Sequence, residues 1–252
     1  DARSGLPLDA KKVHTGRRKE LGAMRSFGVW DFVPENEAVG GKTVKVKWVE
    51  DDRGDTVRAR LVAMEIAFDL RGDCCAGTPG LVLVRWVISS AASHPSKARQ
   101  LAVYDVSCAF LHAKVDEKIF LKLPPGLCPA GLRGRLRCAM YGTRRAGLLW
   151  TDTYALKLVS KGFCRGKGCG QIFWHLEWEI TLVCHGDDTL AEGSEKALDW
   201  LDGVMDELFL TKRRGRAGPG RKGGPEVEFL HRRIVYVEAV GFEYVPAVSY
   251  TH

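Results

Sequence analysis

Two stretches of this chain run apolar residues directly into carboxylates. Leu101-Ala102-Val103-Tyr104 leads into Asp105-Val106, and Glu179-Ile180-Thr181-Leu182-Val183-Cys184 leads into His185-Gly186-Asp187-Asp188. If both are strands ending at the same sheet edge, Asp105 and Asp187 come together. Crowded carboxylates repel one another unless a divalent cation neutralises them. Mg²⁺ takes hard oxygen ligands and commonly uses one or two carboxylates together with substrate phosphates. Two such ions about 4 Å apart can activate an attacking hydroxyl and stabilise a leaving pyrophosphate. Taken alone, Gly186-Asp187-Asp188 is better read as a polar hairpin turn, because Gly and Asp are ordinary turn residues.

A second group of chemistry-bearing residues is basic. Val44-Lys45-Val46-Lys47-Trp48-Val49 and Val57-Arg58-Ala59-Arg60-Leu61-Val62 alternate as strands, and Asp51-Asp52-Arg53-Gly54-Asp55 between them predicts a hairpin. Alternation puts Lys45 and Lys47 on one face of the first strand, and Arg58 and Arg60 on one face of the second. From these strands alone, a solvated face is a better reading than a phosphate-binding one. The 8 cysteines include no C-x-x-C pair. Reduced thiols are therefore expected at Cys74, Cys75, Cys108, Cys128, Cys138, Cys164, Cys169 and Cys184, with Cys164, Cys169 and His175 the weakest of the metal-ligand candidates.

The elements that must position these groups follow from periodicity. Residues 1–26 are polar and basic, with a short helix suggested from Glu20 to Met24. After Thr78-Pro79 a helix is predicted with Leu81, Val82, Val84, Trp86, Val87 and Ile88 as its apolar surface, ending near His94-Pro95. Pro124-Pro125-Gly126 and the stretch from Pro129 to Gly134 are expected as loops. A helix from Ala146 to Ser160 should turn Leu149, Tyr154, Leu158 and Val159 inward. Another, from Ser194 to Phe209, carries Leu198, Leu201, Val204, Met205 and Leu208 at helical spacing. Residues 211–224 are rich in Gly, Lys and Arg without apolar anchors, which reads as a mobile loop. Strands from Val227 to Val237 and from Phe242 to Val245 close the sequence, joined by Glu238–Gly241. The order predicts an α+β fold with helices on a mainly antiparallel sheet.

Composition narrows the partners. With 252 residues, 45% hydrophobic and 27% charged, the chain can bury a core, and its net charge of +7 favours an anionic partner. The most apolar run, Leu81 to Ala92, is broken by Arg85 and Ser89-Ser90, short of the roughly 20 residues a membrane span needs. Opening on Asp1-Ala2-Arg3 and closing on Thr251-His252, the chain reads as a segment of something longer, without a secretion signal.

Read in order, the motifs resemble the copia-type (Ty1/copia) reverse transcriptase domain of a retrotransposon Pol polyprotein. Lys47-Trp48-Val49 followed by Arg58-Ala59-Arg60-Leu61-Val62-Ala63 is similar to that family's "KWV … KARLVA". Tyr104-Asp105-Val106-Ser107-Cys108-Ala109-Phe110-Leu111 is similar to "LDVKTAFL", and Val115 to Gly126 to "ELEEEIYMEQPEGF". Met140-Tyr141-Gly142-Thr143-Arg144-Arg145-Ala146 up to Trp150 resembles "LYGLKQAPRQW". His185-Gly186-Asp187-Asp188 stands where the family has "YVDD", and Phe229-Leu230 to Ile234 resembles "FLGIEI". Six such boxes in the right order make chance an unsatisfactory explanation.

The resemblance implies a palm of antiparallel strands backed by helices (residues 81–112 and 149–245) with a fingers region (1–80 and 113–148) and a thumb largely absent. It implies RNA- and DNA-directed DNA synthesis, with template, primer and dNTPs as partners and Mg²⁺ (or Mn²⁺) as cofactor. Asp105 and Asp187 would bind the metals, with Asp188 supporting and the Val106 carbonyl adding a ligand. Phe110 would pack under the incoming sugar. Arg60, with Arg58 or Lys47, would hold the triphosphate, and Tyr141-Gly142 would line the nucleotide and template site. Lys212 is a candidate proton donor to pyrophosphate, and Arg133, Arg135, Arg137 and Lys212 to Arg216 could follow a duplex backbone. Location in cytoplasmic particles is implied in the same way. Ribonuclease H and integrase parts of the parent polyprotein are not recognisable here. His185-Gly186 in place of Tyr-Val, Thr143, Gly147 and His231 depart from the family pattern. They leave room for a degenerate element that keeps the fold and binds nucleic acid without turnover. A nucleotide cyclase would share the acids and the sheet but not the fingers hairpin or the Tyr141-Gly142 box.

Overall fold

The computed structural model describes residues 1–65 and 79–246, so Cys74, Cys75, Thr78 and the closing Thr251-His252 lie outside the described residues. The first half of the chain contains α1 (Ala10–Ser26), β1 (Trp30–Pro34), β2 (Lys42–Asp52), β3 (Val57–Ala63), α2 (Leu81–Ala92), β4 (Gln100–Val106) and β5 (Ile119–Lys122). Then come β6 (Leu132–Leu136), α3 (Ala146–Val159), β7 (Cys164–Arg165), β8 (Ile172–His175), β9 (Ile180–His185) and β10 (Asp188–Gly193). The last elements are α4 (Glu195–Leu208), β11 (Thr211–Ala217), β12 (Glu226–Phe229), β13 (Arg232–Val237) and β14 (Gly241–Pro246). No helix among the described residues is long and apolar enough to cross a membrane. Two compact units divide the chain: Asp1–Cys75 with Phe110–Trp150, and Ala76–Ala109 with Thr151–His252.

In the first unit a five-stranded sheet runs β1-β6-β5-β2-β3, antiparallel except where β2 meets β5. The expected β2–β3 hairpin forms, and its register sets Lys47 opposite Val62, Val49 opposite Arg60 and Asp51 opposite Arg58. Cross-strand partners share a face, so Lys45, Lys47, Arg58 and Arg60 all lie on one side. The other side presents Val44, Val46, Val57, Ala59 and Leu61, all buried. The helix suggested at Glu20–Met24 starts much earlier. Asp9 caps it by accepting hydrogen bonds from the Lys11 and Lys12 backbone N–H groups, at 2.8 and 2.9 Å.

The stretch read as a loop from Pro129 to Gly134 gives way to strand β6 at Leu132, which pairs with both β1 and β5. The arginines on it and just after it do not form an open cationic row. Arg135 and Arg137 share Asp31, while Arg133 meets Glu35.

In the second unit a six-stranded antiparallel sheet runs β11-β4-β10-β9-β8-β7, and β12-β13-β14 form a separate three-stranded sheet. Helix α2 buries Val84, Val87, Ile88 and Ala91 against Leu101, Val103, Val183, Leu190, Phe229 and Ile234. Each such side chain contributes roughly 1.5–3 kcal/mol on burial. The apolar surface expected of α2 was too wide, because Leu81, Val82 and Trp86 are exposed. Val159 of α3 is likewise exposed rather than inward, whereas Tyr154 and Leu158 are buried.

Helix α4 follows its pattern closely. Ser194 caps it by accepting from the Ala197 backbone N–H, and Leu198, Leu201, Val204 and Met205 are buried. The largest correction falls on residues 211–224. Thr211–Ala217 is not a loop but the edge strand β11, paired along β4. Backbone ladder bonds and acids on α4 hold it: Arg213 meets Asp206, and Arg216 meets Asp199 and Asp202. Beneath α2 lies a buried ion pair, Arg99 with Glu192, to which Ser90 Oγ donates at 3.1 Å. Removing one partner of such a pair typically costs about 3–5 kcal/mol, since the other charge is left buried.

Candidate active site

Strand β10 lies between β9 and β4 and brings the carboxylates to one edge of the six-stranded sheet. Asp188 pairs across the ladder with Asp105 on one side and with His185 on the other. Only Gly186 and Asp187 therefore make the loop between β9 and β10. Gly186 takes φ +68°, a conformation that costs glycine little and suits the first position of a two-residue hairpin. The Val106 backbone N–H donates to the Asp187 carbonyl at 2.8 Å, locking the hairpin tip to the end of β4.

Buried aromatic side chains form the floor under this edge. Tyr154 is fully buried, hydrogen-bonds Thr189 Oγ1 at 2.8 Å and stacks on Phe209 with ring centroids 5.1 Å apart. Tyr104 donates to Asp202 Oδ1 of α4 at 2.9 Å, which anchors the residue just before Asp105.

The electrostatics reflect the crowding. The Asp188 carboxyl is pushed up to about 6, first by burial and then by the neighbouring Asp187 and Asp105. Burial also pushes the Cys184 thiol up to about 12, so it is a neutral floor residue rather than a nucleophile. Asp105 is met by the Arg214 guanidinium from strand β11. Among the described residues, no three His, Cys, Asp or Glu side chains are set together as a group that could hold a metal ion. The donor chemistry nevertheless suits a divalent cation: Asp105 and Asp188 face each other across the ladder with Asp187 next in the chain, all hard-oxygen donors, and Asp188 is pushed toward protonation first by burial and then by the charges of Asp187 and Asp105.

Most of the other predicted residues lie in the first unit. Arg60 lies over the Tyr141 ring, 4.6 Å from its centroid, and Phe110 meets the same ring edge-on at 5.0 Å. The Tyr141 carbonyl accepts from the Ala63 N–H at 2.8 Å, and the Gly142 carbonyl from Glu65 N–H at 3.3 Å. Gly142 has φ +83°, and a Cβ there would stand 1.9 Å from the Ala63 carbonyl oxygen, so no larger residue fits. Lys47 and Arg58 are exposed on the same hairpin face as Arg60. Lys212 is opposite Asp105 in the β11–β4 register.

Cys164, Cys169 and His175 do not make a metal site. The His175 Nε2–H donates to the Lys161 carbonyl at 3.1 Å, and Nδ1 accepts the Trp178 N–H at 3.3 Å, so both ring nitrogens are engaged. The six described cysteines are free thiols; Cys138 and Cys184 are buried, while Cys164 is exposed. Arg214 is the site-edge residue that sequence reasoning missed. Nothing in its neighbourhood, Lys-Arg-Arg-Gly-Arg, distinguishes it from a solvated basic run.

Residues 27–210 match the family described as reverse transcriptase (RNA-dependent DNA polymerase). The chain belongs to that family. A protein of transposon Ty5-1 from Saccharomyces cerevisiae is 31% identical over 118 residues, covering 44% of this chain and 38% of that protein. A retrovirus-related Pol polyprotein of transposon TNT 1-94 from Nicotiana tabacum is 26% identical over 219 residues, 79% of this chain and 16% of the polyprotein. The copia-type resemblance read from the motifs is thus borne out, and the chain spans well under half the length of these curated relatives.

Two solved telomerases share the fold. One, from Candida albicans in complex with a TWJ fragment of telomeric RNA, gives a TM-score of 0.53 at 8% identity over 92% of this chain and 50% of that one. Apo telomerase from Candida tropicalis, truncated from its C-terminal domain, gives 0.53 at 10% identity over 92% and 60%. The expected α+β, reverse-transcriptase-like architecture is therefore correct.

Proposed function

We propose that this chain is the polymerase portion of a retrotransposon Pol polyprotein and adds deoxynucleotides to a primer 3′-hydroxyl on an RNA or DNA template. The observation that carries the reading is the placement of Asp105, Asp187 and Asp188 at one sheet edge, with Asp188 opposite Asp105 in register. On this reading the unit with the six-stranded sheet is the palm and the unit with the five-stranded sheet contains the fingers. Asp105 and Asp187 would hold divalent ions, with Asp188 adjusting the charge of the set and the Val106 carbonyl a further oxygen. Bound there, such ions supply Lewis-acid activation of the hydroxyl and stabilisation of the leaving pyrophosphate.

The first unit carries side chains whose chemistry suits the substrate. Arg60 presents a forked, permanently charged donor set suited to a triphosphate, with Lys47 and Arg58 on the same face. Its guanidinium is steadied by the Tyr141 ring. Phe110, packed edge-on against Tyr141, supplies the flat apolar surface on which a deoxyribose would rest.

An inert remnant is the second reading, favoured by the Arg214 contact with Asp105. Single-nucleotide primer extension on an RNA template, with Mg²⁺ and then Mn²⁺, separates the two. Template-directed addition that disappears in Asp187→Asn is the expected result. Primer–template binding without addition, in this chain and in a longer one, would establish the remnant instead.

A further inference from the structure

The contact between Arg214 and Asp105 arises from a specific irregularity in β11. The register sets Lys212 opposite Asp105 and Arg213 opposite Tyr104, and then skips to Gly215 opposite Val103. Arg214 is the extra residue of a β-bulge. Bulges re-aim a side chain at a sheet edge and recur beside active sites. Here the bulge delivers a guanidinium to the carboxylate that ends β4. The Arg214 side chain is 54% exposed and that of Asp105 is 17% exposed, so the arginine can leave toward water without disturbing the core. Its charge also acts on Asp187 and Asp188.

We propose that Arg214 is a built-in counter-cation for Asp105, one that must withdraw before a divalent ion can take that carboxylate, and that it thereby sets the metal concentration at which the site fills. The inference rests on the metal-binding role assigned to Asp105 and Asp187 above. Its physical basis is competition. A carboxylate paired to a guanidinium cannot offer the same oxygens to Mg²⁺, and relief of the repulsion among the three acids is already partly supplied by the arginine. The protein thus keeps its acidic edge neutralised when metal is scarce. In a protein lacking the arginine the site fills at a lower metal concentration, and the difference is larger at low ionic strength.

The test is direct Mn²⁺ binding, followed by the loss of the free-ion electron paramagnetic resonance signal, in the parent chain and in Arg214→Gln, Arg214→Lys, Asp187→Asn and the Asp105→Asn/Arg214→Gln pair. Thermal melts accompany each, to show that the exposed position tolerates change. Arg214→Gln should bind Mn²⁺ on the order of tenfold more tightly, as expected for removing one adjacent positive charge. Arg214→Lys should stay near the parent, and the gain should vanish when Asp105 is also neutralised. If Arg214→Gln binds no more tightly than the parent while Asp187→Asn loses the ion, the counter-cation role is wrong and the polymerase reading stands. If Asp187→Asn binds as the parent does, both fall together.

Discussion

Asp188 stands directly across the β10–β4 ladder from Asp105, and the two acids share that edge with Asp187. This proximity has a thermodynamic sign. The folded-state pKa of Asp188 lies at about 6, above the ordinary carboxylate value of 3.8. The folded protein therefore holds that proton more tightly than the unfolded chain does. Stability contributed by the protonated form is full below about pH 4, declines as pH rises toward 6, and is gone above it. Asp188→Asn should flatten this slope and melt higher than the parent above pH 6.5. The expected gain is about 1 kcal/mol, since a half-exposed group is partly screened. Melting curves from pH 4 to 8 without divalent ions check it, and a parent-like slope in the variant would mean that the repulsion is not felt.

Arg60 and Tyr141 carry the second expectation. The guanidinium lies on the ring in the first unit, and the Glu20 carboxylate acts on it through charge. Arg60→Ala should leave stability nearly unchanged while raising KM for the nucleotide roughly tenfold or more, the loss of one charge-assisted phosphate contact. Arg60→Lys should recover only part of this, because an ammonium cannot reproduce the fork. Steady-state extension kinetics beside a urea melt separates the two effects. A change in stability with KM intact would move Arg60 from substrate binding to structure.

How much of this was legible in the sequence differs from element to element. Helix α4 was readable because Leu198, Leu201, Val204, Met205 and Leu208 recur at helical spacing, and the structure buries the first four of them. The acids at Asp105 and Asp187-Asp188 were readable because each closes an apolar strand. Strand β11 was not, since Thr211–Ala217 carries four basic residues and its pairing comes from the β4 backbone and from acids on α4. Arg214 was beyond reach for the same reason, its direction being set by a bulge in a strand that had no periodic signature. The width of the apolar face of α2 misled in the opposite direction, because Leu81, Val82 and Trp86 extend a pattern whose buried part is Val84, Val87, Ile88 and Ala91.

Gly142 provides a sharp test of close packing within the first unit. A methyl group there would meet the Ala63 carbonyl oxygen at 1.9 Å and Val62 Cγ1 at 2.7 Å, in a backbone already at φ +83°. The obstacle is main chain, tied by the Ala63 N–H to Tyr141 carbonyl bond at 2.8 Å, so neither side can yield without breaking it. Gly142→Ala should cost on the order of 3 kcal/mol, combining left-handed strain with the clash. Urea denaturation reads the loss. A variant within 0.5 kcal/mol of the parent would show that the Tyr141-Gly142 turn is looser than its contacts indicate.

The β12–β13 hairpin offers a change in the stabilising direction. Phe229 pairs with Arg232, which leaves Leu230-His231 as a two-residue loop. Both take positive φ, +50° and +58°. Such loops favour glycine at the second position because a Cβ there crowds the backbone. Leu230 is not free to change, since it packs against the core cluster containing Phe229 and Ile234. His231 has a side chain that is 99% exposed, and its contact with Glu228 is a loose pair at 3.7 Å. An exposed pair of that kind contributes little. Relief of left-handed strain therefore outweighs the added chain entropy of glycine in the unfolded state, and His231→Gly should stabilise the protein by about 0.5–1 kcal/mol. His231→Ala, which loses the imidazole but keeps the strained Cβ, should show no such gain. If alanine and glycine stabilise equally, the cost at this position belongs to the imidazole and not to the backbone.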